Sequence, residues 1–310
     1  MARILVGCLA GFAALGATLA SVTTLAAAPA SASVTPLVSS DWVKDRLGQP
    51  DLVVIDVRGG AGADADFQKA HIPGAVQAAY PGIWRSPDGT GKVPPVPGLE
   101  AALGGYGVDD TTTVVIVGAG TSSGEFGGVA RVYWTLKYLG HDAVAILDGG
   151  FRAWTAAAAD PVATGKAAPR LAAKFTAHLR PDILMTTPDV EKLIGSETIL
   201  VDARASDQYD AGHLPGAINL DNDRFFEAGG HRLKPRPELA KIVPAAMQQA
   251  GVQFVAFCNT GHWGSTDWFV LHELLGYKNV SLYAESMRGW TEGGTRPVET
   301  GPNPPGGLNR

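Results

Sequence analysis

Two kinds of hydrophobic pattern alternate along this chain. Short apolar runs such as Leu52-Val53-Val54-Ile55, Thr113-Val114-Val115-Ile116-Val117, Thr198-Ile199-Leu200-Val201 and Gly251-Val252-Gln253-Phe254-Val255-Ala256-Phe257 are rich in β-branched and aromatic residues and end at Asp, Gly or Cys. Their length and lack of alternation predict buried strands of a parallel sheet. Between them lie segments with helical spacing: Val129, Val132, Leu136 and Leu139 before Gly140, and Trp268, Leu271 and Leu275 before Gly276. Ser265 or Thr266 is expected to cap the second helix and Gly276 to end it. The alternation predicts an α/β protein in which each mainly parallel sheet is covered by helices on both faces.

The pattern occurs twice. Asp56-Val57-Arg58 after a strand returns as Asp202-Ala203-Arg204, and His71-Ile72-Pro73-Gly74-Ala75 returns as His213-Leu214-Pro215-Gly216-Ala217. Trp154 and Trp290 follow Gly140 and Gly276 at the same interval. Duplication of one domain is the simplest reading. The Ala- and Pro-rich stretch from Ala156 to Pro181 lacks periodicity and is expected to join the copies. Expected boundaries are 34–160 for the first domain, 161–181 for the linker, 182–300 for the second domain and 301–310 for a tail.

Residues 1–32 have Arg3, an apolar stretch from Ile4 to about Leu25 and small residues ending in Ala28-Pro29-Ala30-Ser31-Ala32, the pattern of an export signal. A retained anchor and lipidation at Cys8 are the alternatives; a cleaved leader implies a periplasmic or secreted protein with no stable membrane insertion. The chain of 310 residues is 45% hydrophobic and carries a net charge of −5, with no long basic run, which argues against nucleic acid as a partner.

Beyond the leader there is one cysteine, Cys258. A lone thiol in an oxidising compartment is either buried and inert or retained for its chemistry. Here a strand delivers it into Asn259-Thr260-Gly261-His262-Trp263-Gly264, with a helix beginning near Ser265. Converging backbone N–H groups and the helix dipole would stabilise a sulfur anion there, provided the thiol is exposed in a cleft. In the first copy the matching position is Gly118, so that half is expected to be catalytically silent.

Asp-x-Arg, His-[Ile/Leu]-Pro-Gly-Ala and a strand delivering Cys-x-x-Gly into a helix, in this order and repeated, resemble the tandem rhodanese family of thiosulfate and 3-mercaptopyruvate sulfurtransferases. The resemblance spans about Val34 to Pro297. It implies two rhodanese-like domains, with the second catalytic through a Cys258 persulfide, and a small-molecule sulfur donor and thiophilic acceptor as partners. Asn259, Thr260, Gly261, His262, Trp263, Gly264 and Ser265 would then form the binding loop. Asp202, Arg204 and His213 have twins in the half without a thiol, so their expected role is structural. His262 either assists the anion or points away, and Trp263 walls the persulfide or packs between domains, two roles that are compatible.

Other chemistries fit less well. Val114–Gly124 mimics a dinucleotide-binding turn but lies late in its domain. A phosphatase loop needs an arginine where Gly264 stands. His141, His178, His231 and His272 show no metal-ligand spacing, and neither metal nor cofactor is expected. Donor arginines are common six residues after the strand-end aspartate in the tandem family; Gln208 stands there instead. Thiosulfate, held by loop amides with His262 and Arg224, is the expected donor. 3-Mercaptopyruvate transfer and a non-enzymatic sulfur-carrier role are the alternatives.

Overall fold

The computed structural model describes Met1 and residues 34–156, 160–248 and 251–302. The expected leader and nearly all of the expected tail lie outside the described residues.

Two five-stranded sheets form, each with every strand pair parallel. The first has strands β1 (Leu37–Val38), β2 (Leu52–Asp56), β3 (Val76–Gln77), β4 (Thr113–Val117) and β5 (Val144–Leu147) in the order β1-β5-β4-β2-β3. The second has β6 (Leu184–Met185), β7 (Ile199–Asp202), β8 (Ile218–Asn219), β9 (Phe254–Phe257) and β10 (Val280–Tyr283) in the equivalent order β6-β10-β9-β7-β8. Register is also shared: Asp56 pairs with Val117, and Asp202 with Phe257. Gly118 and Cys258 therefore leave the central strands at equivalent points, at the carboxyl end where open parallel sheets bind ligands.

Continuous apolar strands arise because both faces are covered. Val53, Ile55, Val114 and Ile116 join one core, and Leu52, Val54, Val115 and Val117 another on the opposite face. The second sheet repeats this division, with Val201, Phe254 and Ala256 on one face and Leu200, Val255 and Phe257 on the other. One of the cores runs across both halves. There the helix Ser123–Tyr138 packs beside the helix Trp263–Trp268 and its π-helical continuation Phe269–Leu275. Tyr133 meets Phe269 edge-on, with ring centroids 4.9 Å apart, and donates its hydroxyl hydrogen to Glu273 at 2.8 Å.

The second of these helices starts earlier than the sequence suggests. Ser265 and Thr266 lie inside it, and His262 occupies the cap position without a side-chain cap bond. Ser265 instead turns its Oγ back to the Gly261 carbonyl at 2.7 Å, which ties the helix to the preceding loop. Gly276 ends the segment in the left-handed region, at φ 86°.

Candidate active site

Cys258 follows β9, and its backbone is held on both sides. Its N–H donates to Ser286 Oγ at 3.0 Å, and its carbonyl accepts the Met287 N–H at 3.0 Å. Gly261 N–H reaches the same Ser286 Oγ at 3.0 Å, so one hydroxyl draws both ends of the turn together. Gly261 has φ 69°, and a Cβ there would lie 2.5 Å from the Ala284 carbonyl oxygen, so only glycine fits. Gly264 is needed for close approach instead: a Cβ would meet the Phe257 backbone at 3.0 Å.

The expected exposure of the thiol is corrected here, since Cys258 is only 1% exposed. A Cβ on Gly91 would come within 2.5 Å of the Thr260 carbonyl oxygen, so Gly91 of the first half lies directly on the loop. Among the described residues the sulfur accepts no hydrogen bond, while the amides of Asn259, Thr260 and His262 have no protein acceptor. Asn259 is exposed and Thr260 and His262 are half-buried, so these N–H groups are donors open to a bound anion.

The first half shows how such a loop is satisfied without a cysteine. Glu125 inserts its carboxylate and accepts Ala119 N–H at 2.7 Å and Gly120 N–H at 3.0 Å. A Cβ on Gly118 would lie 2.4 Å from this carboxylate, so glycine vacates the space that the side chain fills. The sequence that mimics a dinucleotide turn is a loop closed by an internal carboxyl side chain.

Both ring nitrogens of His262 are engaged by the first half. Its Nε2–H donates to the Gly124 carbonyl at 2.6 Å, which leaves Nδ1 to accept from Tyr80 Oη at 3.1 Å. Burial pushes its pKa down to about 4, so the ring is neutral near pH 7 and supplies no positive charge to the thiol. It is a tether between the halves, bordering a cavity of about 150 Å³ with Tyr80 and Glu125. With both ring nitrogens engaged, the donor-binding role expected of His262 would require one of these bonds to break. Trp263 lies against Gly124 and Gly127 of the facing helix, the packing alternative. Arg224 is exposed on the 222–225 turn.

The duplicated polar residues form duplicated scaffolds. Arg58 binds the Asp56 carboxylate and the Ala70 carbonyl; Arg204 binds Asp202 and the Gly212 carbonyl in the same way. His71 and His213 contact the Phe67 and Tyr209 carbonyls and stack on those rings. Only the second copy extends to the loop: Arg204 Nη1 donates to Asn259 Oδ1 at 3.3 Å, and Asn259 donates to Gln208 at 2.9 Å. Gln208 thus positions the loop from the place where a donor arginine was sought.

Three residues stand out only in three dimensions. Ser286 is the single non-glycine residue at positive φ among those described, at 53°. Its repeat partner is Gly150, a difference that alignment on Trp154 and Trp290 could have exposed. Asp267 is fully buried with both carboxyl oxygens unpartnered, and burial drives its pKa well up, favouring the neutral acid. Arg131, from the other half, is also fully buried. Among the described residues no group of three or more His, Cys, Asp or Glu is arranged to hold a metal ion.

Comparison with known proteins fits this arrangement. A family model described as a rhodanese-like domain matches residues 39–157 and 186–293. A Mycolicibacterium smegmatis protein provisionally named thiosulfate sulfurtransferase is 31% identical over 86% of this chain and 98% of its own length. Rat 3-mercaptopyruvate sulfurtransferase is 30% identical over 73% of this chain and 82% of its own. Among solved structures, the anaerobic ergothioneine biosynthesis enzyme of Chlorobium limicola superposes with a TM-score of 0.76 at 23% identity, covering 86% of this chain and 70% of that one. That likeness concerns the fold.

Proposed function

The chain belongs to the rhodanese-like family of sulfurtransferases, and from that premise we propose that it moves the outer sulfur of thiosulfate to a thiophilic acceptor through a persulfide on Cys258. The observation that carries this reading is the paired loops: where the first half binds the Glu125 carboxylate with loop amides, the second presents Cys258 and the acceptor-free amides of Asn259, Thr260 and His262.

In the first step the Cys258 thiolate attacks the outer sulfur of thiosulfate. A new S–S bond forms, the old one breaks, and sulfite leaves with the bonding pair. The terminal persulfide anion then lies one atom farther along the loop, within reach of the free amides. In the second step a nucleophile such as cyanide attacks that terminal sulfur, leaves as thiocyanate and returns the thiolate. The covalent intermediate implies ping-pong kinetics. Burial of the resting sulfur, at 1% exposure, means that the groups around it have to move for a donor to enter. The leader sequence supports action outside the cytoplasm.

The test is the mass of purified protein after incubation with thiosulfate, followed by cyanide. A gain of one sulfur that cyanide removes over repeated cycles, and that Cys258→Ser abolishes, is expected. A stable adduct without turnover would favour a carrier, and a clear steady-state preference for 3-mercaptopyruvate would overturn the donor assignment.

A further inference from the structure

Arg131 lies in the helix Ser123–Tyr138 of the half that has no thiol, yet it points at the catalytic loop. It is 0% exposed. Nη2 donates to the Gly91 carbonyl at 2.7 Å, Nη1 reaches the Gly261 carbonyl at 3.5 Å, and Nε has no partner. A Cβ on Gly261 would lie 2.7 Å from Nη1, so the guanidinium rests on the turn that carries Cys258.

No salt bridge joins Arg131 to a carboxylate among the described residues. The groups acting on it electrostatically are Tyr80, Arg85 and Cys258. Arg85 is a second cation, and its buried Nε is also without a partner. The Arg131 guanidinium lies over the Trp134 ring, 5.1 Å from its centroid, and a fully buried arginine is almost always paired with an anion as well. His262 is neutral, and Asp267 and Tyr80, which also act on the sulfur, are both pushed by burial toward their neutral forms. Cys258 is the remaining acidic side chain beside this turn.

We propose that Arg131, backed by Arg85, is the counter-ion of the anionic sulfur on Cys258, a positioning residue supplied to the active site by the non-catalytic half. The inference rests on Cys258 being the reactive sulfur, and it gives the duplicated half a chemical task. It also identifies a source of positive charge in a catalytic domain that has Gln208 where a donor arginine was sought.

The test is a pH titration of ultraviolet thiolate absorbance in the full chain, taken as the difference from Cys258→Ser so that Cys8 cancels. Arg131→Met is expected to move the Cys258 midpoint upward by about one pH unit, a tenfold loss of thiolate below it, and Arg131→Lys to restore most of it. Arg85→Met, at a half-buried position, should move it upward by about half a unit, and it decides the matter if Arg131→Met does not fold. An unchanged midpoint in the folded variant, or a lysine that restores nothing, overturns the proposal. Because the titration uses no sulfur donor, its outcome is separate from failure of thiosulfate to load the protein.

Discussion

Ser286 Oγ accepts the backbone N–H of Cys258 at 3.0 Å while holding a left-handed conformation at φ 53°. The same oxygen accepts from Gly261 and donates to the Tyr283 carbonyl, so a strained residue beyond β10 shapes the loop beyond β9. Strain of this kind persists only where surrounding contacts over-determine it.

Replacing Ser286 should separate stability from catalysis. Ser286→Gly relieves the φ strain but loses the acceptor, whereas Ser286→Ala loses the acceptor and keeps the strain. The alanine variant should be less stable by about 1 kcal/mol than the glycine variant, read from urea unfolding. Both should load sulfur about tenfold more slowly in a single turnover, because the loop is no longer drawn into shape. Normal loading in Ser286→Gly would show that the serine serves folding alone.

The neutral His262 predicts a pH dependence of stability. Its pKa is about 4 in the folded protein against 6.5 for a free ring, so the unfolded chain binds the proton first. Stability is unaffected above about pH 7 and falls as pH drops from 6.5 toward 4, by at most about 1.4 kcal/mol per pH unit. Substitution by glutamine, which cannot take up a proton, should flatten this window in urea midpoints measured against pH. An equal slope in His262→Gln would assign the titration elsewhere.

The repeated Asp-x-Arg scaffold provides its own control. Arg58→Ala and Arg204→Ala each strand a buried aspartate and should each lower stability by about 3–5 kcal/mol, seen as a reduced urea midpoint. Only Arg204 reaches Asn259, so only Arg204→Ala should also slow sulfur loading in the fraction that remains folded. Equal kinetic effects of the two variants would contradict this division.

Glu125 tests whether the vacant loop truly needs an anion. Glu125→Ala leaves the Ala119 and Gly120 amides without their acceptor and should cost about 1–3 kcal/mol. Excess formate should recover part of that loss by occupying the emptied nest, while sulfur loading at Cys258 per folded molecule stays within about twofold. No stabilisation by formate would mean that the loop has collapsed rather than opened.

Some of this protein is legible residue by residue. Buried parallel strands show as continuous apolar runs, and the duplication repeats each signal, so the two sheets and the placement of Cys258 at a strand end follow from the chain itself. The duplication likewise marks Asp202, Arg204 and His213, whose twins lie in the half with Gly118 in place of the thiol. Local spacing does not reveal the burial of the thiol, the turn of His262 toward Tyr80 and Gly124, or the true start of the helix at Trp263. Those depend on the facing half. Ser286 and Arg131 meet the loop across sequence separations of 28 and 130 residues, and a guanidinium's charge matters here because packing has buried it and no carboxylate pairs with it among the described residues. Composition and periodicity determine which segments are buried; only the folded arrangement decides which buried groups are left facing one another without partners.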